Sequence, residues 1–319
     1  MSSAKEYDCI VIGAGAAGLT AALYAVRRTL KTVIITKDFG GQASLAGTVE
    51  NYPGVDKAKG IKIMELFKKQ AEDHGAKIIY KEVEAIEKGE EQFVVKTRDE
   101  EFIGKTIILA FGLTPKDLGV PGENELKNKG VSYCVTCDGP LFKNKTVAVV
   151  GGGNSALDAA ELLTKIAKKV YMIHRKDSFS GENIVADQLM KRDNIEVLLN
   201  TEVTEIQGND KVESIKTKNN QSSKESIVKC DGVFVEVGYI AKTDIVKDLV
   251  ECNERKQIKI GRDCETSCPG VFAAGDVTDI TYKQIVISAG EGAKAALQAY
   301  KFLQQKSGNH VGVDWGKST

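Results

Sequence analysis

Cys134 and Cys137 stand two residues apart in YCVTCDGP, and Asp138 follows the second directly. Residues of these types at this spacing can do three things. They can supply half of a tetrahedral zinc site, form a disulfide that opens and closes during electron transfer, or fill a core as two small apolar side chains. A structural zinc site needs four ligands, and Cys264 and Cys268 in DCETSC are the second pair that could complete one. A redox pair needs a thiolate that attacks and a group that moves a proton, and Asp138 is placed for the second task. The same aspartate could instead cap the turn at CDGP. The spacing alone leaves all three readings open.

The rest of the chain narrows them. At 319 residues it is long enough for two domains. Its 44 basic and 44 acidic residues cancel, so no bulk field favours nucleic acid or an anionic membrane. Aromatics are only 6% and no basic patch interleaves with them, which argues against a nucleic-acid role. The apolar runs, such as TVAVV, are of strand length, so no membrane span is expected. MSSAKEYDCIVIG enters a strand within a few residues and is not expected to be a signal peptide. Seven cysteines, an odd number spread over a long chain, argue against a secreted disulfide framework. In a reducing cytoplasm a close pair points to catalysis or metal binding. Cys9 and Cys230 read as packing residues, Cys252 has no assignment, and His74 and His310 read as surface residues.

Two stretches must position a ligand. YDCIVIGAGAAGLTAALYAVRR reads as a buried strand, glycines at 13, 15 and 18, then an alanine-rich helix, with a second strand in KTVIITKD. The spacing fits G-x-G-x-x-G: a tight turn, a close approach for a pyrophosphate, and a close helix–strand contact. KTVAVVGGGNSALDAAELLTKIAKKVYMIHRKD repeats the pattern with Gly151, Gly153 and Ala156 in the three positions. Two copies imply two dinucleotides, or one and a decayed site. The second copy ends in His174, Arg175 and Lys176, where positive charge suits a ribose 2′-phosphate and so NADP over NAD. Near the C-terminus, GVFAAGDV is a short apolar strand ending in Gly275-Asp276, and this aspartate can accept hydrogen bonds from a sugar-like chain such as ribityl.

GAGAAG, GGQ at Gly40–Gln42, ENYPG at Glu50–Gly54, CVTCDG, GGGNSA, HRKD, GVFAAGDV and YKQIVISAG occur in that order. In this series the chain resembles the low-molecular-weight thioredoxin reductases of the flavin disulfide reductase class, nearly end to end. The resemblance implies an α/β fold of two Rossmann-like dinucleotide-binding domains, the NADPH domain inserted into a discontinuous FAD domain. The expected parts are 1–113 (FAD, first part), 114–244 (NADPH, carrying the C-x-x-C pair) and 245–319 (FAD, second part). Gly112 and Pro115 in LAFGLTPKD and Gly238 in VFVEVGYIAKTD break strands near the junctions, which makes a hinge pair.

The resemblance also implies site residues and partners. FAD contacts fall at Gly13, Gly15, Ala16, Gly18, Gly40, Gly41, Gln42, Asn51, Val83, Ala110, Gly112, Gly275, Asp276, Lys283, Gln284 and Ile285. NADPH contacts fall at Gly152, Gly153, Asn154, Ser155, His174, Arg175 and Lys176, and no metal is expected. Electrons pass from NADPH through FAD to a Cys134–Cys137 disulfide and on to a thioredoxin-like protein. Cys137 faces the flavin, Cys134 attacks the partner, and Asp138 shuttles the proton. Rotation about the hinge pair presents nicotinamide and disulfide to the flavin in turn. A cytoplasmic homodimer is expected. The chain departs from the family pattern at Ser180 and Lys176, where arginines are usual, at Phe111 for a threonine, and at Lys283 for an arginine. The first two weaken the 2′-phosphate clamp, so the alternative keeps the fold with another donor (reduced deazaflavin or ferredoxin) or another acceptor.

Overall fold

The computed structural model describes residues 5–46 and 48–309. The chain divides into two compact units, Met1–Leu113 with Ala241–Thr319, and Thr114–Ile240. His310, read from sequence as a surface residue, lies outside the described residues.

In the first unit, Lys77–Tyr80, Thr32–Phe39, Lys5–Ala14 and Glu101–Leu109 run side by side and parallel. Glu101–Leu109 then pairs twice on its far edge. Its first half takes the antiparallel strand Phe93–Thr97, and its second half takes Val271–Ala273 in parallel, bringing the C-terminal part of the unit into the sheet. Both faces are buried, because successive residues of each central strand are apolar and point to opposite sides. Cys9, Val11, Ile34 and Ile108 join one core, while Ile10, Ile12, Val33 and Leu109 join the other. The helices Ala16–Arg27 and Ile285–Lys306 supply most of the alanines of the first core.

In the second unit, Val131–Ser132, Gly232–Val235, Thr146–Val150, Lys169–Ile173 and Ile195–Leu198 form a wholly parallel sheet in that spatial order. The same alternation buries it on both sides: Val147 and Val149 face one core, Ala148 and Val150 the other. The helix Asn154–Thr164 packs in the first of these cores through Ala156, Leu157, Ala160 and Leu163. An antiparallel sheet of Thr201–Gln207, Ser214–Asn219 and Glu225–Lys229 is added to it. Thr114–Pro115 pairs antiparallel with Tyr239–Ile240, so the chain enters and leaves this unit on one two-stranded ribbon. No described helix is long and apolar enough to cross a membrane.

Candidate active site

In each unit the glycine turn joins the C-terminal end of a central parallel strand to a helix, where ligands of doubly wound sheets sit. The individual glycines there have different causes. Gly13 has φ +107°, and a methyl on it would run into the Ala110 carbonyl. A methyl on Gly18 would strike the Gly13 carbonyl, and one on Gly151, at φ +153°, would strike the Glu236 carbonyl. Gly152 is required by the His174 ring lying against it. Gly15 and Gly153 are different. Their backbones are ordinary extended ones (φ −85° and −91°), open to any residue. A Cβ on Gly15 would meet only the Gly40 carbonyl oxygen at 4.0 Å, and one on Gly153 would meet nothing within 4 Å. Neither the backbone nor the packing of the fold demands glycine at these two positions. Both leave open space directly at a helix N-terminus.

Those helices, Ala16–Arg27 and Asn154–Thr164, carry no side-chain N-cap. Their first N–H groups and positive dipole ends are left to an anion such as a pyrophosphate. The two cradles therefore fit dinucleotides.

In the first unit, Gly40 and Gly41 lie against Gly15, and Ala110 lies against Gly13. Ala16 is buried as the first residue of the helix. The Gly40 N–H donates to the Ala14 carbonyl at 2.9 Å, and a Cβ on Gly41 would lie 3.6 Å from the Gly15 Cα. Gln42 follows in the short helix Gly41–Leu45. The Ala110 N–H donates to the Ile12 carbonyl at 2.8 Å, and Gly112 has φ +63° with open space about it. Asn51 Nδ2 donates to Gln284 Oε1 at 3.2 Å, joining residues 233 positions apart, and Ile285 begins the long C-terminal helix. Val83 is buried in the core on the sheet's other face.

Asp276 accepts from Ser288 Oγ at 3.2 Å, and burial holds its carboxyl above the usual range. Lys283 Nζ donates to the Thr278 carbonyl at 2.7 Å, and burial lowers its pKa. Sequence reasoning passed over Glu291, which is buried and accepts the Gly275 N–H at 2.8 Å, fixing the turn beside Asp276. Its signal was a lone carboxylate inside the small-residue run SAGEGAKAA.

In the second unit, Cys134 and Cys137 form a disulfide with Cα atoms 5.4 Å apart, and the Cys137 N–H donates to Cys134 Sγ at 3.2 Å. Cys134 is half-buried and Cys137 exposed. Asp138 Oδ2 accepts from the buried Ser132 hydroxyl at 2.6 Å. Ser132 was not among the expected site residues; it is a lone hydroxyl two positions before the first cysteine. Cys264 and Cys268 are buried free thiols, so no second disulfide joins them. Burial pushes the Cys264 thiol up to about 12, far from the thiolate that attack requires.

At the second cradle, Asn154 Oδ1 accepts the Glu182 N–H at 2.8 Å, and Ser155 is exposed beside it. His174 turns inward: it is 9% exposed, its ring lies against Gly152, and its Nε2 has no hydrogen-bond partner. Burial, with the Lys176 charge, lowers its pKa, so it stands neutral. Arg175 and Lys176 are exposed and make no ion pair among the described residues. The Ser180 hydroxyl donates to the Gly152 carbonyl at 3.1 Å. Glu236, at the end of Gly232–Val235, is pushed up to about 7 by burial and by Asp158.

Two doubly wound units with open glycine cradles, and a disulfide in one unit, define a redox protein that handles two dinucleotides. A model of the pyridine nucleotide-disulphide oxidoreductase family matches residues 7–298, and the chain belongs to that family. It is 39% identical to a thioredoxin reductase of Treponema pallidum, over 93% of this chain and 97% of that one. Among solved structures, the thioredoxin reductase of Lactococcus lactis superposes with a TM-score of 0.85 at 35% identity, covering 94% and 99% of the two chains. That of T. acidophilum gives 0.82 at 40% identity, covering 93% and 98%.

Proposed function

We propose that this protein is a thioredoxin-disulfide reductase, with FAD held by the first unit and NADPH by the second. The observation that carries this reading is the Cys134–Cys137 disulfide with Asp138 beside it, in a unit that also carries an empty-sided glycine at a helix N-terminus. When bound, FAD relays the electron pair of NADPH to that disulfide. The chain's own residues do the rest. The N–H groups beyond Gly15 and Gly153 hold pyrophosphates, and Asp276 accepts from ribityl hydroxyls. Arg175 grips the 2′-phosphate with its planar fork and Lys176 adds a mobile charge. Once the disulfide is reduced, Cys134 attacks the partner's disulfide as a thiolate. Cys137 then closes on Cys134 and releases the reduced partner, and Asp138 moves the proton.

We assign the chain to the cytoplasm, where its five free cysteines suit a reducing medium. We further assign it to a homodimer. A groove of about 350 Å³ in the first unit is lined by Leu23, Tyr24, Tyr52, Phe67, Val286 and Gly290. Gly290 lies mid-helix, and a Cβ there would meet nothing within 4 Å, although glycine costs a helix about 1 kcal/mol. A second copy approaching closely accounts for it, and light scattering on the purified protein reads the mass.

Anaerobic titration with NADPH tests the function, followed by addition of an oxidised thioredoxin. Flavin bleaching and then stoichiometric dithiol formation are expected. Bleaching by reduced ferredoxin or deazaflavin, with none by NADPH, would transfer the reading to the other donor.

A further inference from the structure

Ser132 is 4% exposed, at the end of the shortest strand of the second unit's parallel sheet, paired there with Phe234. Its one hydroxyl meets three groups of the redox segment. It donates to Asp138 Oδ2 at 2.6 Å, receives the Cys134 N–H at 3.1 Å, and lies 3.3 Å from the Cys134 carbonyl. A hydroxyl has one proton to give. The carboxylate oxygen is both the nearest acceptor and the strongest, so the proton goes to Asp138. Asp138 Oδ1 has no hydrogen-bond partner among the described residues. The backbone adds a second tie, because the Asp138 N–H donates to the Cys134 carbonyl at 3.1 Å.

We propose that Ser132 is a positioning residue for disulfide exchange. It pins Asp138 Oδ2 and the Cys134 backbone to one buried point, so that Oδ1 is the oxygen that carries the proton. This rests on the reductase reading above. The chemistry balances as follows. The Cys134 thiolate attacks the partner's disulfide, a Cys134–partner bond forms, and the partner's own S–S bond breaks. Cys137 S–H gives its proton to Asp138, and the Cys137 thiolate attacks Cys134 Sγ. The Cys134–Cys137 bond forms, the Cys134–partner bond breaks, and the departing partner sulfur takes the proton from Asp138. Two electrons leave the dithiol, two reach the partner, and one proton is moved.

A double-mutant cycle between Ser132 and Asp138 tests this, using the flavin-loaded full chain with NADPH and an oxidised thioredoxin. Misplacing a reacting group by a fraction of an ångström to an ångström costs about ten- to a hundredfold in rate. Ser132→Ala should lower kcat for the thioredoxin by about that factor, with KM for the thioredoxin and the rate of flavin bleaching by NADPH unchanged. Ser132→Thr, which keeps the hydroxyl, should recover most of kcat. In an Asp138→Asn background Ser132→Ala should cost nothing further. Wild-type kcat in Ser132→Ala overturns the proposal, and so does a loss that multiplies with that of Asp138→Asn, because Ser132 would then act on the fold or on Cys134 alone. Should Ser132→Ala not fold, Ser132→Thr against Ser132→Cys carries the same comparison, with equal kcat in the two overturning it. Wild-type protein that bleaches but reduces no disulfide removes the reductase reading, a result separate from any of these.

Discussion

Gly153→Ala separates a glycine the fold needs from one a ligand needs. Gly153 has φ −91° and ψ −177°, which alanine adopts freely, and the added methyl would touch nothing within 4 Å. Alanine at such a position restricts the unfolded chain and stabilises by about 0.4–1 kcal/mol. The folded protein should therefore lose no stability, and its Tm should stay level or rise by about 1–3 °C. Nucleotide binding should respond oppositely. The methyl stands over the N-terminus of Asn154–Thr164 and holds a phosphate oxygen away from the N–H groups there. One charge-assisted hydrogen bond lost costs about 1.5–3 kcal/mol, or about ten- to 150-fold in Kd. Differential scanning fluorimetry reads the first quantity and anaerobic titration of flavin bleaching the second, with flavin content as control. Gly15→Ala should do the same to FAD retention, whereas Gly151→Ala, at φ +153°, should destabilise the unit itself. Wild-type NADPH affinity in Gly153→Ala would refute the reasoning, as would a loss of stability to match the loss of binding.

Cys134→Ser should leave bleaching by NADPH intact and abolish transfer to thioredoxin; equal loss of both would place Cys134 upstream of the flavin. Arg175→Ala should weaken NADPH by about ten- to 150-fold and NADH hardly at all, while Ser180→Arg should widen the preference; steady-state kinetics with both nucleotides decides it. For Glu236 the sign follows from its raised pKa of about 7, against an ordinary 4.5. Its folded form holds the proton more tightly than the unfolded chain, so its contribution to stability is whole below about 4.5 and is lost as pH rises through about 7. Glu236→Gln should therefore match wild type near pH 4.5 and exceed it by about 3 kcal/mol at pH 8. Denaturant unfolding curves that stay parallel across that range would contradict this.

The strand–glycine–helix units and the C-x-x-C pair were legible in the sequence, because each is a local signal. A tight turn, a period-2 apolar run or a two-residue spacing needs no knowledge of distant residues. Tertiary structure decided what local pattern could not. All the glycines of GAGAAG and GGGNSA look alike in sequence, yet only Gly15 and Gly153 are free of demands from neighbouring atoms. His174, read as the first of three basic residues, is folded inward onto Gly152, leaving Arg175 and Lys176 as the exposed cations. Ser180 is tied to a carbonyl 28 residues away, and Asn51 meets Gln284 across 233. The hydroxyl of Ser132 reaches Asp138 only because the four-residue helix Val135–Asp138 folds the chain back onto the end of its strand. Contacts of this kind are set by how layers pack and which carbonyl lies opposite which side chain, and no periodicity along the chain records them.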